Sequence, residues 1–275
     1  MSWPLAQSYW AWCDSPHGLT VGWKGSDRST YEAAKQDADA HSNISGDVVV
    51  WLIKGTTVTQ APVVASGIPL AWQIAAVQDL DGDGHADLIW RQTQTGDVAV
   101  WLMNGPTVTA TPDVSAAVPL AWQIVAARDV DGDSKADLIW RNTQTGDVAV
   151  WLMNGSTVTH SRVVGSAVPA AWQIAGVNDV DGDGHADLVW RNMQTGNVAV
   201  WLLNGNGVTQ SLPVSSGVPL AWQIAKVVDV DDDGKADLVW RHSQTGDLAV
   251  WLLDGATIRH SRGVTSGTSL AWQIQ

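Results

Sequence analysis

Sixteen aspartates recur at four fixed positions in each of four short loops, and that spacing suits the capture of a cation. The loops read DxDxDGxxD, or DxDxDSxxD in the second. They place Asp79, Asp81, Asp83 and Asp87 together, then Asp129, Asp131, Asp133 and Asp137, then Asp179, Asp181, Asp183 and Asp187, and last Asp229, Asp231, Asp233 and Asp237. Carboxylates at loop positions 1, 3 and 5 can converge on one ion, as in the first half of an EF-hand loop. Position 7 offers a main-chain carbonyl, here that of His85, Lys135, His185 or Lys235, whose side chains need take no part. Position 9 closes the shell. Glycine at position 6 permits the sharp turn, and Ser134 is the departure, expected to weaken its loop. Hard oxygen donors without thiolate or imidazole select Ca2+ over zinc, at about four ions per chain. Without a cation, clustered carboxylates repel strongly at short range, which makes a metal-free Asp-Gly turn the poorer account.

The elements that position these loops follow from a repeat of period 50. Trp51, Trp101, Trp151, Trp201 and Trp251 share one phase; Trp72, Trp122, Trp172, Trp222 and Trp272 share a second; Trp90, Trp140, Trp190 and Trp240 share a third. Each unit reads as four short strands, A to D, rich in Val, Ile, Leu and Trp. In the unit after Leu70, strand A is Trp72 to Gln78 and the Asp loop leads to strand B at Ala86 to Gln92. Strand C is Asp97 to Met103, strand D roughly Thr107 to Val114, and Asn104-Gly105 between them suits a type I′ turn. Runs such as VAVWL, apolar on both faces, call for sheets covered on both sides. Four-stranded units of this length, stacked face to face, make a β-propeller, whereas β-solenoid coils are usually much shorter.

The expected architecture is therefore all-β: one propeller over residues 1–275, of five blades with four antiparallel strands each. Residues 1–68 form a degenerate first blade carrying an insertion at 25–43, in which YEAAKQDADA is the one candidate helical turn. Residues 69–268 supply four regular blades, and 269–275 a strand that closes the ring. The first blade, with Asp14-Ser15-Pro16-His17-Gly18, has lost the loop motif and is expected to bind no ion.

The segment DLDGDGHADLIWRQTQTGDVAVWLMNG resembles the bacterial FG-GAP/VCBS repeat, whose blades are similar to those of integrin α-subunits and of propeller lectins. The resemblance covers residues 69–275 well and 1–68 poorly, and the Phe-Gly pair behind the family name is absent. It implies the propeller fold and calcium in the Asp loops. The fold hosts lectins, adhesion modules and enzyme domains, so function must be argued from sites.

The tryptophans divide by position. The Trp90 and Trp101 sets lie within strands B and C and are expected to pack between blades. The set Trp72, Trp122, Trp172 and Trp222 follows the D–A connection, on the end of the blade opposite the Asp loops. Indole faces there can stack on sugar rings, and Arg91, Arg141, Arg191 and Arg241 come to the same end; their competing role is a bridge to Asp97-type residues. A multivalent, lectin-like module binding a glycan or another small molecule is the leading expectation, because repeated grooves bind one ligand several times. The alternative is an enzyme, a cyclase, isomerase or hydrolase acting on an apolar or cationic molecule under the 25–43 insertion. Its candidates are Asp27, Tyr31 and Glu32, with Cys13 and His17 as a thiol and base.

A net charge of −13 disfavours nucleic acid as a partner, and no apolar run is long enough for a transmembrane helix. The lone Cys13 excludes a disulfide framework. No signal segment opens the chain, while loops of this kind fill in calcium-rich fluid, which favours an extracellular or periplasmic setting.

Overall fold

A computed structural model of the chain describes residues 12–13, 19–20, 46–49, 52–54, 57–60, 62–205 and 207–270, and among them every regular element is a β-strand. The second repeat has strand A at Trp72–Gln78, B at Asp87–Gln92, C at Val98–Asn104 and D in two pieces, Thr107–Ala110 and Asp113–Ser115. The third repeat has Trp122–Arg128, Asp137–Asn142, Val148–Asn154 and Thr157–Gly165. The fourth has Trp172–Asn178, Asp187–Asn192, Val198–Leu203 and Val208–Ser215. The fifth has Trp222–Val228, Asp237–His242, Leu248–Asp254 and Thr257–Thr265. In each the strands lie in chain order as one antiparallel sheet.

The first repeat departs from this plan. Trp12–Cys13, Leu19–Thr20, Gly46–Val49 and Val63–Ile68 share a sheet, but Leu19–Thr20 runs parallel to Gly46–Val49. A tight turn can join only antiparallel neighbours, and the long connection between these two strands releases that constraint. Leu52–Lys54 and Thr57–Gln60 form a separate hairpin. The insertion at 25–43 and the closing segment from Ala271 lie outside the described residues.

Two compact units are present, residues 1–120 with 154–157 and residues 121–153 with 158–275. In the first unit Val48 of the first repeat shares a core with Leu88, Trp90 and Met103 of the second. In the second unit Val130, Ile139 and Val150 of the third repeat meet Val177, Leu188 and Trp190 of the fourth, which in turn meets Val227, Leu238 and Trp240 of the fifth. Neighbouring sheets thus bury each other's faces, as the two-sided apolar runs require. Trp90, Trp140, Trp190 and Trp240 are fully buried and stack on the strand-C indoles at 4.7–4.8 Å. Aromatic burial of this size, on the order of 200 Å² per ring, makes these pairs the largest single apolar contributions to each sheet–sheet core.

The C–D turn differs from the type I′ expectation. Thr107 pairs with Asn104, so the two turn residues are Gly105 and Pro106. Gly105 has φ +57°, while Asn104 and Pro106 have no positive φ. A glycine first and a proline second is the sign pattern of a type II′ turn, which proline's fixed φ permits and type I′ does not.

Candidate metal centres

Each Asp loop leaves the end of strand A and re-enters the sheet as strand B. The carboxylates at positions 1, 3 and 9 bring one oxygen each within 4.8 Å of one another: Asp79, Asp81 and Asp87; Asp129, Asp131 and Asp137; Asp179, Asp181 and Asp187; Asp229, Asp231 and Asp237. Position 1 curls the loop. Asp79 accepts the Gly82 N–H at 2.7 Å and the Gly84 N–H at 2.8 Å, Asp129 accepts those of Gly132 and Ser134 at 2.7 Å, and Asp179 repeats the pattern. In the fifth repeat Asp229 accepts from Asp233 at 3.3 Å and Gly234 at 2.9 Å. Position 5 lies beside each trio: Asp83, Asp133, Asp183 and Asp233 each accept the N–H of the residue at position 7, and Asp183 comes within hydrogen-bonding reach of Asp181.

Position 9 has a second duty that spacing alone does not reveal. Asp87 is buried; one of its oxygens accepts the Leu80 N–H and the other the Met103 N–H, both at 2.8 Å. Asp137 bonds Val130 and Met153, Asp187 bonds Val180 and Leu203, and Asp237 bonds Val230 and Leu253 in the same way. The carboxylate therefore ties its loop to strand C. Burial pushes Asp87 up to about 6 and Asp137 and Asp187 up to about 7, and raises Asp237. The amide bonds oppose that rise, and the carboxylates at positions 1 and 3 add to it. An all-oxygen set of three convergent carboxylates, one of them held out of water, fits a hard divalent cation.

The side chains at position 7 bridge repeats. A Cβ built on Gly132, which has φ +79°, would lie 2.9 Å from the His185 ring, and one on Gly182 would lie 3.3 Å from the Lys235 stem. Gly132 and Gly182 thus each receive the position-7 side chain of the following loop. The alternation of small position 4 with bulky position 7 was the sequence signal for this contact. In the fifth repeat Asp232 takes position 4, at φ +59°.

At the opposite end of each sheet the arginines are held by main-chain carbonyls. Arg91 donates to Gly96, to Val118 at 2.9 Å and to Pro119 at 3.3 Å. Arg191 is buried and donates to Gly196, Val218, Pro219 and Trp222. Arg141 reaches Val168 and Arg241 reaches Ser269, each at 2.8 Å. Arg141 also lies 5.2 Å over the Trp190 ring, and Arg191 5.1 Å over Trp240. Asp97, expected beside Arg91, accepts the Ala117 N–H and the Thr95 hydroxyl, bonds that hold it below the usual carboxylate range. Trp72, Trp122, Trp172 and Trp222 are half-buried, with exposed Gln73, Gln123, Gln173 and Gln223 beside them. Asp27, His17, Tyr31 and Glu32 lie outside the described residues, as does the side chain of Cys13.

The profile of the FG-GAP-like repeat matches three overlapping windows, residues 79–140, 129–190 and 179–240, each opening on the first aspartate of a loop. The chain belongs to the FG-GAP-like repeat family. Solved structures agree at the level of fold, that of a β-propeller. A chain of the nidogen/laminin complex is similar with 13% identity and a TM-score of 0.52 over 80% of this chain and 75% of that one. The Tc holotoxin pore of Photorhabdus luminescens is similar with 18% identity and a TM-score of 0.50 over 76% of this chain and 11% of that one. No curated protein matches the chain. Among the described residues, no helix is long and apolar enough to cross a membrane.

Proposed function

We propose that this FG-GAP repeat protein is a calcium-stabilised binding module: a five-bladed propeller, closed by its terminal segments, that presents one glycan-binding feature several times. The observation that carries the calcium half is the fourfold recurrence of the aspartate trio, with the same pair of amide bonds to position 9 each time. Calcium in each loop would meet the trio at positions 1, 3 and 9 together with the carboxylate at position 5 and the main-chain carbonyl at position 7, and the loop would then be pinned to both strands it joins. The ligand half rests on the opposite end, where Trp72, Trp122, Trp172 and Trp222 are half-buried beside an exposed Gln, with Trp72, Trp172 and Trp222 also packed against the cores. In this reading Arg91, Arg141, Arg191 and Arg241 hold the rim on which those rings sit. An extracellular or periplasmic setting supplies the calcium.

Chelation provides the test. Each filled site contributes about 2.7 kcal/mol when free calcium is about a hundredfold above its Kd. Adding EDTA to calcium-loaded protein should therefore lower Tm by many degrees, and an unchanged Tm would refute the calcium reading. For the ligand half, Trp122→Ala should weaken binding on a glycan array while the calcium content stays constant. Undiminished binding by that variant would remove the Trp set from the site.

A further inference from the structure

The four loops are not equivalent, and the difference lies in one residue of strand D. At the corresponding position the second, third and fourth repeats carry Thr109, Thr159 and Thr209, whose hydroxyls donate to the carbonyls of Leu102, Leu152 and Leu202 at 2.9–3.1 Å. The fifth repeat carries Arg259 instead. Its guanidinium hydrogen-bonds Asp233 and lies 3.8 Å from Asp231, the residues at positions 5 and 3 of its own loop. The neighbouring Lys235 bonds Asp254. In the third repeat Lys135 approaches Asp133 at 3.7 Å, from within the loop itself. Only in the fifth, among the described residues, does an arginine from another strand span two loop carboxylates.

Resting on the calcium reading above, we propose that Arg259 is a built-in counter-cation of the Asp229–Asp237 loop, and that it divides the calcium sites into a tight class of three and one weak site. Two physical effects act together. A guanidinium bonded to the carboxylate of Asp233 must be displaced or pushed aside before a dication uses that oxygen. A guanidinium that stays within a few ångströms of Asp231 repels a divalent ion held by the same carboxylate. A loop with its own cation stays ordered at low calcium, and fills only when calcium is abundant.

The experiment is a Ca2+ titration by calorimetry on the full chain, with bound calcium counted after equilibrium dialysis. The expected result is three tighter sites, the Ser134 loop the weaker of them by less than about threefold, and a fourth about tenfold or more weaker than the tightest, a gap of about 1.4 kcal/mol. Arg259→Thr, the residue of the other repeats, should bring the fourth site to within about threefold of the rest. Asp229→Asn in the parent chain should delete the weak site alone and leave the three tight ones, which identifies the loop without relying on the Arg259 variant. Four equivalent sites in the parent chain, or a fourth site still weak in a folded Arg259→Thr variant, would overturn the proposal while leaving the calcium reading intact. No calcium uptake by any loop would overturn both.

Discussion

The two ends of each repeat solve the same problem, how to order a loop at the edge of a sheet, by opposite means. At the A–B end the carboxylates collect and the main chain supplies only donors: Gly82, Gly84, Leu80 and Met103 all offer N–H groups to Asp79 and Asp87. Negative charge remains in excess at this end. At the B–C end the guanidinium of Arg91 takes carbonyls of its own turn and of the D–A connection, and Asp97 takes the Ala117 N–H from that same connection. That end is complete within the chain. The comparison teaches that calcium-dependent stability should be confined to the Asp-loop end, while the arginine–carbonyl bonds of the other end should hold with or without calcium.

Breaking the self-sufficient end should cost most. Arg191→Ala strips donors from four carbonyls and removes the cation over Trp240, so a loss of about 3–4 kcal/mol is expected by urea denaturation, with or without calcium. A loss that depended on calcium would erase the distinction between the ends.

Next in size is Asp187→Asn. The buried amide group cannot accept from both Val180 and Leu203, so about 2 kcal/mol should be lost even in EDTA, with a further loss in calcium because that loop no longer fills. A cost seen only in calcium would show that the link to strand C carries no weight.

The pH response sharpens the comparison further. Asp137 and Asp187 sit at about 7 against an ordinary 3.8, so in ion-free protein the folded state holds more protons than the unfolded one between those values. Ion-free stability should then fall as pH rises from about 4 to about 7. Calcium must meet ionised carboxylates, so its affinity should rise over the same window and its binding at pH 6 should release protons. Calorimetry in buffers of different ionisation enthalpy reads that release directly. Calcium affinity independent of pH would contradict it.

The smallest effects concern backbone strain, one at each end. Ser134 in the second Asp loop has φ +68°, and Ala167 in a D–A connection has φ +52°, where other repeats place Gly84 and Gly217. Ser134→Gly and Ala167→Gly should each stabilise by about 0.5–1 kcal/mol. Ser134→Gly should in addition tighten calcium at its loop, whereas Ala167→Gly should leave calcium binding alone.

The period of 50, the four strands of each regular repeat and the positions of the Asp loops were legible in the sequence because each is a local pattern: alternating apolar residues, turn glycines and a fixed carboxylate spacing. Strand A came out as Trp72–Gln78, the span expected from its residues. The burial of Trp90 followed from an apolar run that cannot face water, whereas its tilted contact with Trp101 of the same sheet was not read from the sequence. Less was legible where partners are distant in the chain. That Asp87 ties its loop to Met103, that Arg91 reaches Val118, and that Arg259 lies across Asp231 and Asp233 all depend on which strands become neighbours. The parallel pairing of Leu19–Thr20 with Gly46–Val49 was hidden for the same reason, because strand direction is free once the connection is long. The sequence by itself determined the repeat, the elements and the donor chemistry, since those are set by residue type and near spacing. Only the tertiary structure decided which carboxylates are tied to strand C and which loop carries its own cation, since those contacts depend on which strands become neighbours.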